Sequence, residues 1–318
     1  MRSAVSFHLL GVIMTGIDES YAFGQLVQRV APGSQLLRAW SLPGGVSAQV
    51  TAVEIVQPDG QSRKLLVRRH GLRDRQCNPQ IATTEFRLLQ VLQQATVAAP
   101  VPYYLDQAGE FFNVPCLVIE YVEGATEFAP PNLLDFVQQA AAQLAQIHRV
   151  GRAHFDLAFL ANQGKGFGER PAHLDDSLQE AQIRDRLESL WPLPQTNPSV
   201  LLHGDFWPGN LLWRAGRLAA VIDWEDAAVG DSLADVGNGR LELLWAFGIE
   251  AMTGFTEAYR RLTNLDWATL PYWDLCAALR PAGKLHTWGL DATVEKTMRE
   301  KHRWFVTQAL ATLAAQGR

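Results

Sequence analysis

Two short segments constrain the fold of this 318-residue chain more than the rest of it does. His203-Gly-Asp205-Phe-Trp-Pro-Gly-Asn210 is followed, thirteen residues after its asparagine, by Asp223 in Ile222-Asp223-Trp224. Between them Leu211-Leu212-Trp213 is apolar, Arg214-Ala215-Gly216-Arg217 is a turn signal, and Leu218 to Ile222 is apolar and β-leaning. That order predicts a hairpin with a four-residue loop. If Trp213 faces Leu218, Asn210 pairs near Val221, and Asp223 returns beside Asn210, opposite Pro208 and Gly209. One carboxylate and one amide oxygen brought together suit magnesium, a hard cation that takes few protein ligands and keeps phosphate oxygens and waters for the rest. Read singly, His-Gly-Asp is a turn and Asp223 a solvated acid at a strand end; the joint spacing favours the metal site.

HGDFWPGN and IDWEDAAVGDSLAD resemble the two signature blocks of the aminoglycoside phosphotransferase/choline kinase-like superfamily. The Asp205-to-Asn210 offset is also that of the kinase catalytic loop, His-x-Asp-x4-Asn. The resemblance implies an α+β, two-lobed protein-kinase-like fold, with a small N-terminal β-rich lobe and a larger, mainly helical C-terminal lobe. It also implies phosphorylation of a small molecule. By resemblance Asp205 is the catalytic base, Asn210 and Asp223 hold Mg2+, His203 supports the catalytic loop, and Asp235 is a buried acid bracing that loop. From the residues alone, Asp231, Ser232 and Asp235 also suit a helix start, Ser232-x-x-Asp235 being spaced as a capping box. Capping is favoured for Asp231, and both readings stand for Asp235.

Family order places four further features upstream, and the chain has a candidate for each. Leu42-Pro-Gly44-Gly45-Val-Ser47 precedes a β-leaning run, Val50 to Val56. Its glycines and free amides suit a phosphate loop, or simply a hairpin turn. Related proteins often carry Gly-Gly-x-Ser-Asn, where this chain has Ala48. Lys64 to Arg69 reads as a strand ending in charge, and Arg68 stands where kinases carry a nucleotide-contacting Lys; Arg is not equivalent there, because its planar fork needs another approach. The alternative is a pair of solvated strand-end arginines. Thr84 to Leu92 has helical spacing and offers Glu85 as the partner of Arg68, against a plain surface glutamate. Pro115 to Gly124 reads as a buried strand reaching an inter-lobe hinge, where the backbone of Glu120 and Val122 would meet the adenine. The resemblance covers roughly residues 35 to 245.

These motifs organise the chain as a tail or extended start over 1–19, a nucleotide-binding lobe over 20–119, a hinge over 120–124 and a catalytic, acceptor-binding lobe over 125–318. The opening Arg2 and apolar Val5 to Ile13 imitate a signal peptide, but His8 interrupts the run and no small-x-small cleavage site follows. It is too short to span a membrane. Met14 is a plausible initiator, and an N-terminal strand or tail is the alternative. Hydrophobic residues at 47% supply a core, and 28 basic against 33 acidic residues leave no basic stripe of the kind nucleic acid requires. The three cysteines Cys77, Cys116 and Cys276 are odd in number and widely spaced, which favours a reducing, cytoplasmic setting. Helical spacing runs over Leu133 to His148 and over Leu241 to Leu262, and His148 reads as a packed helix residue.

The expected activity is transfer of the γ-phosphoryl of ATP or GTP to a hydroxyl of an aminoglycoside, choline, homoserine or sugar-like acceptor. A non-catalytic nucleotide-binding scaffold is the alternative. A protein kinase does not fit, because only six residues separate Asp223 from Gly230, with no Asp-Phe-Gly or Ala-Pro-Glu around a phosphorylatable segment. Three features bear on the acceptor. Glu225 and Asp226 would draw a cation, Trp245, Trp267, Trp273, Trp288 and Trp304 could form a quaternary-ammonium cage or core, and Arg280, Lys284 and His286 would greet an anion. No membrane or nucleic-acid partner is expected, and the oligomeric state is left open.

Overall fold

The computed structural model describes residues 17–42, 48–151 and 154–317. They divide into two compact units, one of residues 17–123 with 219–221 and the other of 124–218 with 222–317.

The N-terminal unit is built on five strands, β1 (Gln35–Ser41), β2 (Ala48–Val56), β3 (Ser62–His70), β4 (Pro102–Asp106) and β5 (Cys116–Glu120), in the order β1-β2-β3-β5-β4 with every neighbour antiparallel. Side chains alternate across such a sheet, and in β3 this alternation sorts Leu65, Val67 and Arg69 to one face and Leu66, Arg68 and His70 to the other. Helix α1 (Ile17–Val30) covers the first face, its Phe23, Leu26 and Val27 packing on Val53, Ile55, Leu65, Val67 and Val118. Each fully buried side chain of this size is worth about 1.5–3 kcal/mol. Arg69 is tolerated on that apolar face because Glu19 lies 3.1 Å from its guanidinium and the ring of Phe112 lies 4.4 Å below it. Residues 17–19, assigned to a tail from the sequence, thus belong to a helix whose Glu19 anchors β3.

After the short α2 (Leu72–Cys77) comes α3 (Ile81–Gln94). Its buried residues Ile81, Ala82, Glu85, Leu88, Leu89 and Leu92 form one helical stripe, so the sequence has placed a glutamate in an apolar seam.

The C-terminal unit begins with α4 (Leu133–His148), capped by Asn132, whose side chain accepts from the Asp135 amide at 3.0 Å. It continues with β6 (Ala161–Asn162), α5 (Glu180–Leu190), β7 (Ser199–Leu202), β8 (Leu211–Arg214), the first two residues of β9 (Arg217–Val221) and β10 (Ala228–Asp231), then α6 (Leu233–Phe247), α7 (Ile249–Leu262), α8 (Leu270–Leu279) and α9 (Ala292–Ala315). Strands β6, β10 and β7 form a small sheet, with Ala228 opposite Leu202 and Asp231 opposite Ser199. The helical spacing expected to run unbroken from Leu241 to Leu262 is split at Gly248, whose φ of 94° ends α6 and starts α7. Close approach of α6 and α8 depends on Gly237, where a Cβ would lie 2.7 Å from the Trp273 carbonyl oxygen. Among the described residues no helix is long and apolar enough to cross a membrane.

Candidate functional site

The His203–Asn210 segment leaves β7, and the pairing of β7 with β10 brings the first turn of α6 beneath it. Asp235 in that turn is buried, and its Oδ2 accepts from the His203 amide at 2.6 Å while Oδ1 accepts from the Gly204 amide at 2.9 Å. Its Oδ2 also meets His148 Nε2 at 3.1 Å, and His148 Nδ1 meets the Tyr259 hydroxyl at 2.6 Å. The partners assign the tautomer: His148 donates from Nε2 and accepts at Nδ1. Desolvation pushes the Asp235 carboxyl upward, but the hydrogen bond from His148, with that from the His203 amide, outweighs it and holds Asp235 below the ordinary aspartate range. Asp235 is therefore a brace and not a cap. Asp231 does the capping, its Oδ1 accepting from the Leu233 amide at 3.0 Å, while Ser232 makes no side-chain cap.

His203 is fully buried and spends both ring nitrogens on backbone: Nδ1 accepts from the Asp205 amide at 3.2 Å and Nε2 donates to the Ile222 carbonyl at 3.0 Å. One imidazole thus ties the loop bearing Asp205 to the residue before Asp223. Gly204 is required between them. Its φ is 83°, and a Cβ there would lie 2.1 Å from the Asp226 carbonyl oxygen.

Asn210 closes the loop, donating from Nδ2 to the Asp205 carbonyl at 2.9 Å and to Asp205 Oδ2 at 3.2 Å. This leaves Asn210 Oδ1 as the atom to face a cation. The Ile222 amide donates to the Asn210 carbonyl at 2.9 Å, so the β8–β9 hairpin delivers Asp223 beside Asn210. The hairpin loop is shorter than the four residues expected. Arg214 and Arg217 are strand residues, and only Ala215 (φ 49°) and Gly216 (φ 73°) turn, the paired positive φ of a type I′ turn that matches strand twist. Asp223 has a φ of 68°, a left-handed conformation that Asp tolerates better than most residues and that concentrates at functional sites. The two oxygen donors, Asp223 carboxylate and Asn210 Oδ1, fit magnesium's preference for hard ligands.

Three carboxylates gather here. Desolvation, with the charges of Asp205 and Asp223, holds the Asp226 carboxyl above the ordinary aspartate range, and Arg280 works against that rise. Arg280, just past α8, donates from Nη2 to Asp205 Oδ1 at 2.7 Å and from Nη1 to the Gly204 carbonyl. Sequence reading grouped Arg280 with Lys284 and His286 as a receiver of anions; the structure puts Arg280 on Asp205 and leaves the other two exposed. The tryptophan cage does not form. Trp245 packs on Trp288, Trp267 on Tyr259 and Trp273 on Tyr272, three separate ring contacts in which Trp245 and Trp273 are buried and Trp267 and Trp288 half-buried.

In the N-terminal unit, Arg68 Nε and Glu85 Oε2 are 3.3 Å apart, with side chains 11% and 4% exposed. Neither Arg68 nor Arg69 is a solvated strand end. His70, two residues on and on the same face as Arg68, adds its Nε2 at 2.9 Å from Glu85 Oε2. The sequence reading missed His70, although the period of two from Arg68 pointed to it. Desolvation pushes the Glu85 carboxyl upward, but the Arg68 charge and the His70 hydrogen bond prevail and hold it below the ordinary glutamate range. At the expected hinge, the Glu120 amide is committed to the Val101 carbonyl at 2.8 Å, so it does not meet a base. Val122 follows β5 in backbone without regular structure. Gly44, Gly45 and Ser47 lie outside the described residues.

The sequence profile of the phosphotransferase enzyme family matches residues 41–275. The chain belongs to this family. Among its relatives, this phosphotransferase-family chain is 26% identical to a homoserine kinase of Phenylobacterium zucineum over 223 residues, 63% of this chain and 67% of that one. It is 35% identical to the hygromycin-B 4-O-kinase of Escherichia coli over 86 residues, 26% of this chain and 25% of the relative. It is 26% identical to mouse acyl-CoA dehydrogenase family member 10 over 189 residues, 54% of this chain and 18% of that longer protein. Its fold is that of a macrolide 2'-phosphotransferase type I (TM-score 0.61, 17% identity, 92% of this chain and 98% of that one). It is equally that of a spectinomycin phosphotransferase solved with ADP and spectinomycin (TM-score 0.58, 14% identity, 92% and 98%). The expected α+β, kinase-like fold is therefore present.

Proposed function

We propose that this chain transfers the γ-phosphoryl group of ATP or GTP to a hydroxyl of a small molecule. The observation that carries the reading is the convergence of Asp205, Asn210 and Asp223, held by His203 between the two motifs and by Asp235 from below.

Asp205 accepts the proton of the acceptor hydroxyl as that oxygen attacks the γ-phosphorus. The bond from the phosphorus to the β,γ-bridging oxygen breaks, and the nucleoside diphosphate leaves. Asn210 Oδ1 and the Asp223 carboxylate would hold Mg2+, which supplies positive charge to the phosphates. Asn210 also fixes the Asp205 carboxylate through its Nδ2, so the base and the metal ligand are aligned by one side chain. Arg68, oriented by Glu85 and His70, contacts the phosphates, together with the Gly44, Gly45 and Ser47 loop. Glu120 takes part through groups other than its amide, and Val122 offers its backbone to the base. Catalysis on this scheme is mostly positioning and electrostatics. Relatives named for homoserine and hygromycin B, both hydroxyl-bearing, support an alcohol acceptor. The free thiols of Cys77, Cys116 and Cys276 support a cytoplasmic setting.

Titration of ATP and GTP with and without magnesium, followed by a panel of hydroxylated metabolites and antibiotics, tests the proposal. Magnesium-dependent binding and nucleotide consumption with at least one alcohol are expected. Equal affinity with and without the metal, or binding of neither nucleotide, would sink it. Tight binding with no consumption across a broad panel would favour the scaffold.

A further inference from the structure

We infer that Arg280 is a catalytic residue of this reaction: its guanidinium, docked on Asp205, contacts the transferring phosphoryl group on the side of the acceptor oxygen. The inference rests on the role of Asp205 proposed above and names a group that neither sequence motif contains.

Geometry comes first. Arg280 grips two successive residues of the loop with one planar fork, Nη2 on Asp205 Oδ1 and Nη1 on the Gly204 carbonyl. Lysine, a point charge on a flexible stem, cannot reproduce that fixed orientation. A hydroxyl hydrogen-bonded to Asp205 would stand roughly 2.5–3.0 Å from a carboxylate oxygen, with the phosphorus about 3–3.5 Å beyond in a near-attack arrangement. A guanidinium bonded to the same carboxylate is therefore beside the oxygen under attack and within reach of the phosphoryl oxygens.

Charge gives the reason. Asp205, Asp223 and Asp226 surround the point of transfer, and the phosphoryl spreads negative charge over three equatorial oxygens. Magnesium on Asn210 and Asp223 would act from the nucleotide side. Arg280 supplies the cation on the acceptor side, where Asp205 and Asp226 would otherwise repel the incoming group. Its side chain is 43% exposed in the pair with Asp205, and exposed ion pairs contribute little to stability, so anchoring the loop is a weak reason for placing an arginine here. Once acceptor and nucleotide exclude water, the same charge acts in a lower dielectric and its effect on the phosphoryl grows. The family profile ends at residue 275, five residues short of Arg280.

The test avoids the identity of the acceptor. Magnesium with ADP or GDP binds as a ground state, and adding aluminium fluoride places a planar, anionic mimic where the phosphoryl transfers. Calorimetry would compare wild type, Arg280→Ala and Arg280→Lys in both conditions, with thermal melting as a check on folding. Arg280→Ala should keep its diphosphate affinity and melting temperature but lose at least about tenfold of the affinity gained with aluminium fluoride, as expected for a preorganised charge at the transition state. Arg280→Lys should recover only part, and millimolar guanidinium ion should restore part of the loss in Arg280→Ala. An unchanged gain in Arg280→Ala overturns the inference. So does a loss shared equally by diphosphate affinity and melting temperature, which marks an anchor, and so does a wild type that binds diphosphate but gains nothing from aluminium fluoride. A wild type that binds no magnesium diphosphate overturns the phosphotransferase reading itself.

Discussion

Both units bury a carboxylate against a histidine, and they use it differently. Glu85 in the N-terminal unit has side chains for partners, Arg68 and His70. Asp235 in the C-terminal unit gives its oxygens to the backbone amides of His203 and Gly204 and to His148. The first acid orients another charge; the second fixes the path of a loop. A side chain so oriented can be exchanged for a similar one at modest loss, whereas a loop held by its amides has no substitute for the acceptor below it. The acids proposed to do the chemistry, Asp205 and Asp223, are in turn partly exposed, and their placement depends on the second kind of support.

The largest effect should come from the supported acids themselves, and it separates their jobs. Asp205→Asn should leave magnesium-nucleotide affinity nearly intact while transfer falls by roughly 10² to 10⁴, the contribution of a positioned general base. Asp223→Ala removes a metal ligand and should reduce nucleotide affinity and transfer together. Steady-state kinetics and calorimetry on the two variants check this. Loss of nucleotide binding by Asp205→Asn equal to that of Asp223→Ala would make the assigned roles wrong.

Support by backbone should be next. Asp235→Ala leaves the buried His203 amide, the half-buried Gly204 amide and His148 without their acceptor, and should destabilise the fold by about 2–5 kcal/mol, read from denaturant midpoints. Tyr259→Phe, which removes only the hydroxyl at the far end of the same network, should cost about 1 kcal/mol. Equal losses for the two would mean that the network, and not the loop amides, carries the energy.

This contrast also marks what the sequence could tell. Asp205, Asn210 and Asp223 were legible because a hairpin of fixed length ties them, and local spacing survives folding. The two-residue turn at Ala215-Gly216 was missed because the flanking arginines look like loop residues, although they extend the strands. Glu85 and Arg68 were legible as a pair because the resemblance implied a strand cation paired with a helix acid, and His70 sat in the strand period of Arg68. Asp235 stayed open between cap and brace, since its spacing from Ser232 suits a cap while the resemblance implied a brace; the decision came from β7 and β10 pairing, a contact 26 to 32 residues apart in sequence that no local pattern encodes. Arg280 was seen as a charge but not as a partner of Asp205, because 75 residues separate them. Gly248 shows the converse error, in which hydrophobic periodicity ran through a break that one glycine imposes.

The smallest effect is a change of slope with pH, and it compares the two buried acids directly. Glu85 and Asp235 both titrate lower in the folded chain than in the unfolded one. Each therefore adds stability that is complete above the unfolded carboxylate pKa, about 4.3 for glutamate and 3.9 for aspartate, and is lost as pH falls through that value toward the folded one. Glu85→Gln keeps the shape and removes the titration. It should lower stability by about 1–3 kcal/mol near pH 7, and the gap from wild type should narrow as pH falls from 5 to 3. Asp235→Asn should show the same narrowing at slightly lower pH, but a gap should persist there, because an amide presents one acceptor oxygen where the carboxylate presents two, and its NH2 faces the His203 and Gly204 amides or His148. Denaturant midpoints at half-unit pH steps give both curves. If the Glu85→Gln gap persists at pH 3 while the Asp235→Asn gap closes, then Glu85 holds shape and Asp235 holds charge, the reverse of the division drawn from their partners.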